Sequence, residues 1–137
     1  MFWFGDDFTV IETTSQKYYG GLEKSGHGTR YRIKLLAQKD SKKLKIDQLW
    51  IDDKYFEVKP VKDPKYRNNH EFFKKDTIFI SVKDHVYPDE LMREKQEEKI
   101  VLPYKYKGAA LIGYKVRNKR KYKVIEKITE LKKIFYP

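Results

Sequence analysis

Along residues 29–39, TRYRIKLLAQK, apolar and charged residues take turns: Tyr31, Ile33 and Leu35 alternate with Arg30, Arg32 and Lys34. A period of two sends neighbouring side chains to opposite faces, so this run predicts a half-buried strand. Runs rich in β-branched and aromatic residues predict further strands at 8–14 (FTVIETT), 44–51 (LKIDQLWI), 54–61 (KYFEVKPV), 77–83 (TIFISVK) and 109–116 (AALIGYKV). Asp52-Asp53 separates two such runs by two polar residues and predicts a hairpin. Arg117-Asn118-Lys119 predicts another, leading into a strand from Arg120 onward, because Asn118 accepts a left-handed backbone. Pro60 cannot donate to a ladder, which marks a strand end or a sheet edge.

Some segments break the pattern. Residues 62–76 carry Pro, Asn and charge, and read as a connection. In YPDELMREKQEEK (87–99), Pro88 and the helix formers behind it fit a short helix over 88–98 or a charged loop. The stretch 124–135 is open between strand and helix. Tyr122, Ile125, Ile128, Leu131 and Phe135 recur at nearly helical spacing, while Tyr122, Val124 and Ile128 suit a strand that reaches at least Ile128.

No repeat or linker divides the chain, which predicts a single β domain over 1–137, with residues 1–7 a disordered or added start. Strand after strand without regular helices between them predicts an all-β fold, an antiparallel β-sandwich of immunoglobulin-like or similar type. The alternative is a partly open β-barrel. Strict alternation puts Trp50 in the core with Leu44, Ile46 and Gln48. Gln48 is a poor core residue, and a β-bulge that shifts the register would remove the conflict.

Composition agrees with strands. Of 137 residues 15% are aromatic, with eleven Tyr and eight Phe, and Ala occurs only at 37, 109 and 110. Cysteine is absent, which excludes disulfides, thiolate metal sites and thiol nucleophiles. No apolar run approaches the roughly 18 residues of a spanning helix. The start, MFWFGDDF, has neither a basic n-region nor an apolar h-region, so the chain is expected to be cytosolic or to have lost a targeting segment.

Candidate chemistry is sparse. GGLEKSGHGT (20–29) scans as a phosphate-binding loop only in the spacing of Gly21 and Gly26, with His27 and Gly28 where the lysine and hydroxyl belong. A strand and not a helix follows, so the glycines are read as a turn. His27 stands between two glycines and is a candidate loop contact for a ligand; His70 and His85 have no partner at metal-ligand spacing. Asp6-Asp7 and Asp52-Asp53 lack calcium-loop spacing, and none of Ser15, Ser25, Ser41 and Ser81 sits in a nucleophile elbow. The reading is therefore no catalytic residue, no metal and no cofactor.

Charge adds one feature. The net charge is +11, and between Lys115 and Lys133 nine bases face two acids. Lys115, Arg117, Lys119, Arg120, Lys121 and Lys123 are a candidate polyanion-binding surface, with Tyr104, Tyr106, Tyr114 and Tyr122 as stacking partners. The competing reading sends the lysines to solvent and the tyrosines to the core.

The runs KLKIDQLWIDDKYFEVKPVK, KKDTIFIS, YKYKGAALIGYKV and KRKYKVIEKITELKKIFYP resemble a group of small Bacteroidetes proteins that look like lipoproteins or exported envelope proteins without assigned activity. The likeness spans roughly residues 10 to 137 and includes the SGHGT loop. It implies an exported, membrane-tethered β domain in the cell envelope or periplasm, and brings no catalytic residues. No lipid-attachment cysteine is present at the front. The expected function is a non-enzymatic, envelope-associated binding or structural module with an envelope polymer or protein as partner. The alternative is a cytoplasmic basic β domain that binds nucleic acid or another polyanion.

Overall fold

The computed structural model describes residues 7–20, 26–40, 44–52, 54–60, 73–86 and 101–135. Eight strands run through them: β1 (Phe8–Tyr19), β2 (His27–Ala37), β3 (Leu44–Ile51), β4 (Lys54–Glu57), β5 (Thr77–Val86), β6 (Ala110–Val116), β7 (Lys119–Ile125) and β8 (Thr129–Phe135). None of the described residues is helical. The strands form two four-stranded sheets, ordered β5-β2-β1-β8 and β4-β3-β6-β7.

The two sheets bury one core between them. Phe8, Ile33, Leu35, Ile78, Ile80 and Val82 come from the first, and Leu44, Ile46, Leu49, Ile51, Ile112, Tyr114 and Ile125 from the second. This is a β-sandwich and not a closed barrel. Strands one, two and five share one sheet while four, three, six and seven share the other. That is the order of an immunoglobulin-like sandwich whose fourth strand lies beside the third. The helix considered for 88–98 lies outside the described residues.

The C-terminal run is strand, in two pieces. β7 ends at Ile125, short of the expected Ile128, and residues 126–128 carry the chain from the second sheet to the first. Ile128 packs against the core on the way. β8 then runs parallel to β1, so one pair departs from the expected antiparallel pattern. The register slips between Gln16 and Tyr18, where Lys132 and Lys133 stand against Lys17 alone. The Gln16 side-chain amide donates 2.9 Å to the Lys132 carbonyl there, supplying a bond at the interrupted ladder. Asp7, expected in a disordered start, is tied down: its carbonyl accepts from Gln38 N at 2.9 Å.

The expected bulge is present at Asp47. Ile46 pairs with Tyr114 and Gln48 with Gly113, leaving Asp47 as the extra residue. The slip exchanges the two faces of β3 beyond it. Leu44 and Ile46 point into the sandwich before it, and Leu49 and Ile51 after it. Trp50 is therefore buried, at 1% exposure, but on the outer face of the second sheet and not with Leu44 and Ile46. Gln48 shares that outer face and crosses Gly113, where a Cβ would lie 2.5 Å from its Oε1.

Two of the four edge strands, β7 and β8, are guarded. On edge strand β7, Lys119, Lys121 and Lys123 pair with Val116, Tyr114 and Ile112, and so sit on the inner side of the sheet. Inward-pointing charges on an edge strand block strand addition by another chain. On β8, Lys132, Lys133 and the irregular register do the same.

Trp50→Ala is expected to lower unfolding stability by about 3–5 kcal/mol in urea titration, the usual cost of truncating a buried Trp. An unchanged midpoint would contradict its burial.

Candidate functional site

The outer face of the second sheet is unusual for a solvated surface. Cross-strand pairing sets it out in rows: Lys45, Lys115 and Arg120; then Gln48, Gly113 and Tyr122; then Tyr55, Trp50, Leu111 and Val124. Trp50 and Leu111 are fully buried there although they face away from the main core. What covers them is aromatic. Trp50 lies 5.3 Å from Tyr55 and 6.2 Å from Tyr122 between ring centroids, and Tyr104 meets Tyr122 edge-on at 5.7 Å. Tilted and edge-to-face contacts of this kind match ring quadrupoles.

The segment 101–109 brings Tyr104 and Tyr106 to this face. It is anchored where Ala109 N donates 2.8 Å to the Ile125 carbonyl. The Tyr106 hydroxyl points at the Trp50 carbonyl from 3.5 Å, long for a direct hydrogen bond. Between this segment and the β3–β4 turn lies an open cleft of about 660 Å³, within the size range of small-ligand sites. Asp52, Leu102, Tyr104, Lys105 and Tyr106 line it. Asp52 holds the turn position with φ 49°, as the expected hairpin requires. Tyr104 is 45% exposed, so its ring is available to a ligand.

At the opposite end Arg120 closes on the bulge residue. Its guanidinium donates to both Asp47 carboxylate oxygens, at 2.6 and 2.9 Å, with about a quarter of each side chain exposed. These hydrogen bonds are the main reason the Arg120 pKa is raised beyond its already high value. Burial chiefly, then the charges of Asp47 and Glu57, raises the Tyr55 pKa above 10.0, against a lowering by Arg120.

The six basic candidates do not share a surface. Lys115 and Arg120 lie on the outer face, and Arg117 and Asn118 form the β6–β7 turn with φ 50° and 68°. Lys119, Lys121 and Lys123 lie on the inner side of β7. Lys121 is 3.5 Å from Asp7, and Lys123 rides over the Phe8 ring at 5.5 Å. The tyrosines divide as well: Tyr104, Tyr106 and Tyr122 meet at the outer face, while Tyr114 packs edge-on against Phe8 in the core. His27 is the first residue of β2 and not part of the loop; its exposed ring stacks on Tyr19, which stacks in turn on Phe135.

A second constellation escaped sequence reading. Tyr18, Gly28 and His85 stand in one row across β1, β2 and β5. The Tyr18 hydroxyl and His85 Nδ1 are hydrogen-bonded at 2.7 Å, and their rings stack at 5.6 Å. Gly28 makes this possible, since a Cβ there would lie 2.5 Å from the Tyr18 hydroxyl and from the Asp84 carbonyl. Nothing at a spacing of 67 residues announces such a clamp. Gly20 and Gly26, for their part, close the β1–β2 hairpin, with Gly26 at φ 74° and Gly20 N bonded to the Gly26 carbonyl at 2.9 Å. No group of three His, Cys, Asp or Glu able to hold a metal occurs among the described residues.

No family model, curated protein or solved structure matches the chain.

Asp47→Ala should cost about 1.5–3 kcal/mol, the range for hydrogen bonds to a charged group, measured by chemical denaturation. The tyrosines give a pH prediction. Burial is the first cause of a raised pKa in Tyr31 as in Tyr55. Below pH 10 both are neutral whether folded or unfolded; above it the unfolded chain loses its protons first. Stability should therefore be full below pH 10 and fall as pH rises further, and Tyr31→Phe with Tyr55→Phe should flatten that fall in thermal melts.

Proposed function

We propose that this protein is a non-catalytic binding module whose sandwich presents the aromatic outer face of its second sheet to a ligand. The observation that carries this reading is the Tyr55–Trp50–Tyr122–Tyr104 ring row that ends in the cleft beside Asp52 and Lys105. Rigid aromatic rings offer a large contact area at low entropic cost, and a few polar groups beside them fix a ligand's orientation. The resemblance to exported Bacteroidetes proteins supports an envelope setting for this activity.

The polyanion reading has weaker support. Arg120 and Lys121 are turned to Asp47 and Asp7, and alternation divides the basic segment between two faces. A surface that gathers phosphates needs its bases on one side.

The test is a titration of isotope-labelled protein with four probe sets: neutral oligosaccharides, acidic oligosaccharides, aromatic tripeptides and short oligonucleotides. At least one set is expected to shift resonances of 102–109, Trp50 and Tyr122 together. Tyr104→Ala should raise that Kd about tenfold, or about 1.4 kcal/mol, with the Tm lowered only slightly, because Tyr122 keeps its own contact with Trp50. Shifts elsewhere, or none, would overturn the reading.

A further inference from the structure

Resting on that reading of the outer face, we infer that its ligand is an acidic glycan, a chain of sugar rings bearing carboxylates. The cleft wall brings together three residues of different chemistry: Tyr104 with its exposed ring, Asp52 and Lys105. Each restricts the ligand. A flat aromatic face takes a flat or weakly polar face, which a sugar ring supplies through its C–H groups. An ionised carboxylate only accepts hydrogen bonds, so the part of the ligand beside Asp52 must donate. Sugar hydroxyls do so. An ammonium selects an anionic group at the same ring, within the reach of one lysine.

The charge pattern along the face extends this match. Past the Trp50 and Tyr122 rows, the Lys45–Lys115–Arg120 row lies four residues along β6 from Leu111, which is about 13 Å at strand spacing. Asp47 neutralises Arg120, which leaves Lys45 and Lys115 as its basic pair. Glu57, opposite Gln48 on β4, is the other acid beside the row. Basic groups at both ends of an aromatic strip suit a polymer with an acid on each of several rings. A peptide that binds by adding to a sheet edge fits less well, and a proline-rich one, which docks on aromatic grooves, brings no anion for Lys105. Here the open surface is a face, and edge strand β7 carries inward lysines.

The experiment compares matched pairs by isothermal titration calorimetry at 150 mM salt. Tetrasaccharides of galacturonate, glucuronate and mannuronate are each set against their methyl esters, which keep every ring and hydroxyl but lose the charge. A thymidine octanucleotide is the nucleic-acid probe. At least one acidic tetrasaccharide should bind tenfold or more tightly than its ester and more tightly than the octanucleotide. Lys105→Gln should abolish the preference for acid over ester. Asp52→Asn, which tolerates the left-handed turn position, should weaken acid and ester alike. If ester and acid bind equally, or if the octanucleotide binds best, the glycan acid is wrong while the outer face remains a binding site. If no acidic tetrasaccharide binds, the inference fails; the tripeptide and oligonucleotide titrations then decide separately whether the face binds anything.

Discussion

One inserted residue determines what each face of the second sheet presents. Without the bulge at Asp47, alternation from Leu44 and Ile46 would direct Gln48 and Trp50 inward, and Leu49 and Ile51 to the outside. The core would then contain the Gln48 amide, and the surface would carry two bare aliphatic chains; on the outer face Gln48 Oε1 is still buried without a hydrogen bond among the described residues. With the bulge, both halves of β3 contribute aliphatic residues to the core, and Trp50 becomes the centre of the outer face. The residue that makes the irregularity also fastens it, since Asp47 takes both hydrogen bonds of Arg120 on β7. A bidentate pair fixes orientation as well as distance. It ties the bulge across the sheet, over β6, to the edge strand.

An outer layer follows from that exchange. Trp50 takes Tyr55 and Tyr122 against its ring, and the segment 101–109 adds Tyr104 edge-on to Tyr122 and Tyr106 beside the Trp50 carbonyl. The lysines are arranged by the same alternation. Because Tyr122 and Val124 face outward, Lys119, Lys121 and Lys123 must face inward, and they escape burial only because β7 is an edge. The Lys121 ammonium reaches Asp7 and that of Lys123 the Phe8 ring, as long stems that keep their charged heads out of the core allow. The basic segment thus serves the sandwich as an edge guard.

Sequence pattern revealed the strands well and the faces less well. LKIDQLWI was legible to its boundaries because two apolar runs meet at a polar turn. FTVIETT falls short of β1, because SQKYY continues the strand to Tyr19 with only polar and aromatic residues and so carries no apolar alternation to mark it. The ambiguity over 124–135 had a physical basis. A strand that changes sheets at 126–128 resets its alternation, and the two resulting phases imitate a helical period. Of the site, the basic and aromatic residues were visible, but their division between faces depended on strand phase. Tyr55, Asp47 and Asp52 were not visible as members, because only tertiary pairing brings Tyr55 to Trp50, Asp47 to Arg120 and Asp52 to the cleft; Lys105 adjoins Tyr104 in the chain, but nothing in the pattern marks it.

The character of the outer layer is what connects it to binding. A layer needed only to cover Trp50 and Leu111 would be best made of aliphatic side chains, which satisfy burial without leaving hydroxyls to place. Instead the cover is tyrosine, with one ring 45% exposed and a carboxylate and an ammonium at the cleft beside it. Tyrosine combines an apolar body with a polar rim, the combination that suits a surface wet at some times and covered at others. Packing explains why the face is apolar in its centre. It does not require the ring left open at the cleft, and that is the part of the layer which a ligand would use.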